Sequence, residues 1–280
     1  MSDRQSSRTA LGAAYARAIH QLFDAQPRIL DDPVTPLMLG PTVLQRLSGP
    51  AITKTSGLRA HIVLRSRFTE DRLAGAVRRG IKQYVILGAG FDTFAIRQPS
   101  WANKLKIIEV DQPKTQDLKR SLLKIAGLTI PANTSFACID FEHESLTERL
   151  LSHHFAVDEP TFFSCLGVMV YLKKKAIDVI LGSVAMFPVD SEIVLTFAEP
   201  VEITTSLVSQ SVSSLAQRVA SVGEPFISYF KPEEIKAKLH SAGFSKVEIL
   251  SAAVAKSRYF RHRPEDLPVP KRTGIVFAIR

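Results

Sequence analysis

The sequence predicts an α/β fold, a mostly parallel sheet with helices on both faces, and three observations carry that prediction. Tyr84 to Leu87 form a continuous apolar run that stops at Gly88-Ala89-Gly90, the pattern of a strand buried on both faces running into a tight turn. A second largely apolar run, Leu105 to Val110, ends in Asp111, 21 residues past the second glycine (111 − 90). Further apolar runs at Ser135–Ile139, Thr161–Val170 and Glu192–Ala198 are separated by segments with helical spacing, as alternating βα units require.

Taken in order, residues 7 to 26 read as a helix. Leu11, Tyr15, Ile19, Leu22 and Phe23 recur at helical spacing, Ser6, Ser7 or Thr9 can cap its start, and Pro27 ends it. Residues 27 to 57 are rich in proline and glycine and read as loop. Leu58 to Arg79 form a second helix, carrying Arg65 and Arg67. About eighty residues thus precede the first core strand. We read residues 1–80 as a helical cover and 81–280 as the ligand-binding domain, with an insertion near 200–230 walling the substrate.

Beyond Asp111, Pro113 opens a helix whose apolar face is Leu118, Leu122, Leu123 and Ile125, closed by Gly127. The third strand ends at Asp140-Phe141, and Leu146, Leu150 and Leu151 mark the helix after it. Gly167 marks a bend late in the fourth strand, the lysines after Leu172 start a helix through Met186, and the fifth strand ends at Glu199-Pro200. Lys231 to Gly243 is the last helix, and Lys246–Ala253 and Thr273–Ile279 suggest a hairpin closing one sheet edge.

The chemistry of the first turn selects a ligand. Two glycines let backbone approach closely, and a carboxylate at the next strand's tip is placed for a ribose. A dinucleotide site needs a third glycine where Thr93 stands, and Asp92 sets a negative charge where a pyrophosphate would lie. A nucleoside with no phosphate and a positive charge fits better, and S-adenosylmethionine has those properties. Asp140 could accept from an adenine amino group while the Phe141 backbone donates to the ring; alternatively Asp140 caps the following helix. Arg65 could pair with the carboxylate of a methionine tail; a surface arginine is the alternative.

Composition bounds the rest. With 45% hydrophobic residues the chain can bury a sizeable core. No apolar run is long enough to span a membrane, and MSDRQSSRTA has no signal-peptide apolar region, so the expectation is cytoplasmic. Cys138 and Cys165 lie in apolar runs and read as free thiols rather than a disulfide or metal site. The net charge is +9, but the basic residues are scattered over Arg78/Arg79/Lys82, Lys119/Arg120, Lys173–Lys175 and Arg258–Arg263. Solvated faces or an anionic small substrate account for them better than nucleic acid does.

The segments ARAIHQL, PRILDDP, LRSRF, YVILGAGFDTFAIR, IIEVDQP, the CIDF pair, FSCLGVMVYL and GEPFISYFKPEEIKAKLHSAGF together resemble the leucine carboxyl methyltransferase-like S-adenosylmethionine-dependent methyltransferases. That group includes bacterial polyketide O-methyltransferases, and the resemblance covers nearly the whole chain. It implies a class I methyltransferase fold, Rossmann-like and seven-stranded, with the last strand antiparallel. Carried over by position, Arg65 resembles the arginine that binds the methionine carboxylate, Gly88 the backbone site at the first turn, Asp111 the ribose ligand and Asp140-Phe141 the adenine site. With Ala89, Gly90 and Asp92 in the same turn, these residues form the expected cofactor-binding set. Arg8 loosely matches a basic N-terminal contact. Relatives carry a glutamate where Leu166 stands here, which argues against transferring a protein-phosphatase substrate and favours the small-molecule branch.

The expected reaction is O-methylation of a carboxylate or hydroxyl on a small, anionic or phenolic acceptor. A carboxylate needs no base, whereas a phenol or alcohol benefits from one. Tyr171 and Glu199 follow strand ends and are the candidate polar groups; His143, His153 and His154 read as surface residues. The alternatives are a nicotinamide-dependent oxidoreductase and a non-catalytic cofactor-binding protein.

Overall fold

A computed structural model describes residues 8–41, 45, 53, 55–153, 155–200, 220 and 223–280. Most of the expected insertion, residues 201–219 and 221–222, lies outside the described residues, as do His154, Ser6 and Ser7.

Seven strands form one sheet in the order β3-β2-β1-β4-β5-β7-β6. They are β1 (Gln83–Leu87), β2 (Lys106–Asp111), β3 (Thr134–Cys138), β4 (Thr161–Cys165), β5 (Glu192–Thr196), β6 (Lys246–Ile249) and β7 (Ile275–Ile279). β1 to β5 run parallel, and β7 lies antiparallel between β5 and β6. The expected hairpin is therefore present, with β7 as its inner strand. Order reverses at β1, which pairs with β2 on one side and β4 on the other. In open parallel sheets the ligand crevice lies outside the carboxyl ends at such a switch point.

The apolar run of β1 is buried throughout because successive side chains enter opposite cores. Val85 and Leu87 join the core on one face, and Tyr84 and Ile86 the core on the other. Burying each such side chain contributes about 1.5–3 kcal/mol. On the second face lies the long helix α3 (Ser56–Arg78), preceded in the chain by α1 (Arg8–Phe23) and α2 (Val34–Leu39). α2 falls in the segment expected to be loop; its Val34, Pro36, Met38 and Leu39 are buried, and that burial outweighs its proline content.

A strand boundary and the buried face of a helix differ from expectation. β4 stops at Cys165, and Met169–Tyr171 form a 3-10 turn instead of strand. Gly167, at φ 76°, turns the chain out of the sheet. α4 (Pro113–Ile125) starts on its proline as expected, but Ile125 is 83% exposed while Lys119 is fully buried. The amphipathic pattern misleads there because Lys119 forms an ion pair with Glu109 of β2 beneath the helix. The remaining helices are α5 (Leu146–Ser152), α6 (Lys174–Ala185), α7 (Pro232–Ser241) and α8 (Ala252–Ala255), which continues as a π-helical turn, Lys256–Phe260. Cys138 and Cys165 are free thiols. Among the described residues no helix is long and apolar enough to cross a membrane and no cluster could hold a metal ion.

Candidate active site

The turn after β1 is built by its glycines and by what leans on them. Gly88 sits at φ 65°, where a side chain is strained. A Cβ there would lie 2.2 Å from Val168 Cγ2, so Val168 occupies the space a side chain would need. The Gly88 and Ala89 N–H groups donate to Val110 O at 2.7 and 3.2 Å, closing the turn on β2. Gly90 N–H donates to Asp111 Oδ2 at 2.5 Å, and Gln112 N–H donates to Oδ1 at 2.7 Å. Asp111 therefore meets the glycine turn directly. Burial pushes its carboxyl up, opposed by those two N–H groups. Asp92 Oδ1 accepts from Phe94 N–H at 2.7 Å, which shapes the same loop.

Arg65 projects from α3 to the carboxyl end of β4. A Cβ on Gly167 would fall 2.7 Å from Arg65 Nη1, so the left-handed glycine gives the guanidinium its place. Burial and the nearby charge of Arg17 push Arg65 down to about 10, while Tyr171 and Asp92 oppose that. Its guanidinium makes no hydrogen bond or ion pair among the described residues. Arg67, two positions on, instead pairs with Asp71 at 2.9 Å.

Asp140 is placed differently. Its residue lies just past the end of β3, whose Cys138 is in register with Asp111. Its carboxylate accepts from Glu142 N–H at 2.9 Å and meets His143 Nδ1 at 3.0 Å. These bonds fold the loop on itself, while Ser145 caps α5 in place of Asp140. The half-buried Phe141 packs against the core on the first face.

The two candidate polar groups also part. Burial raises the Tyr171 hydroxyl, opposed by a bond to Thr9 and by the charge of Arg65. Its ring packs edge-on to Phe226 with centroids 5.4 Å apart. Glu199 faces Arg272 at 3.5 Å. His143 is mostly exposed beside Asp140.

Helix α1 reaches the same turn. Ala10 Cβ stands 3.1 Å from where a Gly90 Cβ would be. Arg8 N–H donates to Glu224 Oε1 at 2.7 Å, and the Thr9 hydroxyl also donates to Glu224. The backbone N–H of Arg8 thus makes that contact, and its side chain is exposed.

Comparison with known proteins then fixes the family. The leucine carboxyl methyltransferase family model matches residues 10–185, well over half of the chain. The chain belongs to the leucine carboxyl methyltransferase family. It is an S-adenosylmethionine-dependent methyltransferase. A Bacillus subtilis (strain 168) relative, "Putative S-adenosyl-L-methionine-dependent methyltransferase YktD", is 31% identical over 305 aligned positions covering 100% of both chains. A relative from Mycobacterium ulcerans (strain Agy99) is 34% identical over 182 residues, 61% of this chain and 57% of its own length. Among solved structures, a duf574 family protein from Streptomyces avermitilis has a TM-score of 0.59 at 14% identity, covering 98% of this chain and 97% of its own. One from Thermobifida fusca, titled "putative methyltransferase", has a TM-score of 0.56 at 18% identity over 82% of this chain and 85% of its own. These two likenesses concern the fold.

In this methyltransferase the residues suit the cofactor in one observable respect. Near the turn stand the Arg65 guanidinium, without a partner among the described residues, and the Asp92 and Asp111 carboxylates, groups that suit a zwitterionic, phosphate-free nucleoside. Thr93, which read from sequence only as a missing glycine, has a structural task. Its hydroxyl donates to Asp32 at 2.8 Å and accepts from Arg97 Nε at 3.2 Å. Asp32 also receives Arg17 at 3.0 Å and Thr35 N–H at 3.0 Å. Burial would raise the Asp32 carboxyl, but Arg17, Arg97 and the two threonine hydroxyls outweigh it and hold it low. A second network joins α1 to α3: Asp24 takes Arg59 through two bonds of 2.7 Å and His20 Nδ1 at 2.8 Å. Arg17 and His20 lie in the segment ARAIHQL, and Asp32 lies in PRILDDP. Their charged residues inside a helical pattern were the signal available in the sequence.

Proposed function

We propose that this methyltransferase transfers a methyl group to an oxygen of a small acidic or phenolic molecule. S-adenosylmethionine, when bound, supplies an electrophilic methyl on a sulfonium that leaves as a neutral thioether. The protein's share is placement and exclusion of water. In this reading Arg65 holds the methionine carboxylate through a charge-assisted, two-pronged contact. Gly88, Ala89, Gly90 and Asp92 shape the backbone beside the amino-acid end. Asp111 keeps lone pairs for a ribose diol, and Asp140 with Phe141 borders the adenine. Helix α1 forms part of the cover of residues 1–80, and Glu224 accepts from its first turn.

The observation that carries this reading is the Arg65 guanidinium, held beside Gly167 without a hydrogen bond or ion pair among the described residues. Oxygen as the acceptor is supported by the polar groups beside it. The Tyr171 hydroxyl is raised by burial, so at neutral pH it stays protonated and does not take a proton from the acceptor. Glu199 is engaged by Arg272. A carboxylate acceptor needs no base and suits that arrangement.

The test is calorimetry with S-adenosylhomocysteine, followed by turnover of S-adenosylmethionine against a panel of carboxylic acids, phenols and amines. We expect binding, and methyl esters or ethers as products. Transfer only to nitrogen overturns oxygen as the acceptor. Binding without turnover on any acceptor favours the non-catalytic alternative. The oxidoreductase alternative has no support from the family.

A further inference from the structure

Two of the basic clusters that look scattered in the sequence meet in space. A hollow of about 190 Å³ opens between α3 and the π-helical turn Lys256–Phe260. Its charged lining comprises Arg72, Arg78, Arg79 and Arg258 against one carboxylate, Asp71. π-helical turns are rare and recur at functional sites.

The arginines are not all spoken for. Asp71 already accepts from the Tyr259 hydroxyl at 2.9 Å and pairs with Arg67 at 2.9 Å. Arg72 reaches Glu248 at 2.7 Å and lies 4.0 Å over the Phe277 ring, yet its Nε is buried with no partner. Arg79 pairs with Glu192, whose second oxygen has no partner. Arg258 lies over the Tyr259 ring at 5.5 Å. Neither Arg78 nor Arg258 has a carboxylate partner among the described residues. At Gly75 a Cβ would stand 3.3 Å from Arg79 Nη1 and 3.8 Å from Arg78 Nη2, so both guanidinia fold back over one turn of α3. Like charges so placed repel, and an anion between them offsets that repulsion.

We propose that this hollow binds the phosphate group of a small soluble molecule. Guanidinium forks match phosphate oxygens two at a time. The hollow has room for a phosphate or diphosphate group. The arginines of the hollow lie further along α3 than Arg65: Arg72 is seven residues on (72 − 65) and Arg78 thirteen (78 − 65), about 10 and 20 Å along a helix.

The test is calorimetric titration of the full chain with inorganic phosphate and with diphosphate, at ionic strength held constant with chloride. Wild type is expected to show saturable binding, and Arg78→Ala and Arg258→Ala each to weaken it tenfold or more with unchanged thermal midpoints. Both side chains are exposed, so the variants fold. Heats that never saturate, or that match in wild type and both variants, overturn the proposal. So does binding to phosphatidylglycerol vesicles by a protein that ignores both soluble anions.

Discussion

The Thr93 hydroxyl donates to Asp32 at 2.8 Å, joining positions 61 apart in the chain. The glycine turn is thereby tied to the segment between α1 and α2. Asp32 is 1% exposed, and its charge is met by Arg17 and Arg97 as well as by hydroxyls. Thr93→Val keeps the shape and deletes the donor. A buried acceptor left short of a partner costs about 1–3 kcal/mol. We expect a lower denaturant midpoint with an unchanged m-value, and weaker S-adenosylhomocysteine binding because the turn loses its anchor. An unchanged midpoint would show that Arg17 and Arg97 alone satisfy Asp32.

Arg65→Ala separates binding from stability. The guanidinium is desolvated without a partner among the described residues, so its removal should not lower the melting temperature. S-adenosylhomocysteine affinity should fall by about ten- to a hundredfold, the worth of about 1.4–3 kcal/mol for a charge-assisted contact. Arg65→Lys should recover only part of it, since an ammonium lacks the fork. Equal affinity in all three proteins would remove Arg65 from the proposed site.

Gly88→Ala should destabilise the fold through two effects. The new methyl would meet Val168 Cγ2 at 2.2 Å, and φ of 65° disfavours any Cβ. Val168→Ala in the same chain removes the collision and leaves the backbone cost, about 1–2 kcal/mol. A double-mutant cycle by urea unfolding should therefore show a favourable coupling between the two substitutions. Purely additive effects would mean that Val168 moves aside freely.

His61 supplies a pH signature. Burial, together with the charge of Arg65, pushes its imidazole down to about 4 from an ordinary 6.5, while its bond to Thr273 O opposes the shift. Between those values the unfolded chain binds the extra proton and the folded chain does not. Stability is therefore present above pH 6.5 and is lost as pH falls towards 4, by up to about 3 kcal/mol. His61→Gln can still donate to the Thr273 carbonyl and does not titrate. Urea midpoints measured from pH 4 to 7 should show a shallower slope in the variant, and an identical slope would assign the loss to other groups.

Much of the sheet was legible because β1, β2 and β5 are apolar runs closed by glycine, acid or proline, and a strand buried on both faces leaves that trace. Asp111 was legible by its distance from Gly90. The end of β4 was not, because Leu166 to Val170 are as apolar as strand residues while a left-handed Gly167 turns them away. Lys119 and Glu109 were not, since a buried ion pair looks like two surface charges in sequence. The tasks of Asp32 and Thr93 were hidden for a similar reason: each partner is distant in the chain, and only the folded cover brings them together.

The antiparallel β7 has a practical consequence. Its last residues pair with the beginning of β5, Ile279 opposite Glu192, and Arg280 N–H bonds Ser191 O. A fluorescent fusion or surface tether attached after Arg280 therefore emerges on the rim remote from Gly88. One attached at Arg8, where α1 begins, would sit near the turn at which Ala10 meets Gly90. For immobilised assays, attachment after β7 keeps clear of that turn.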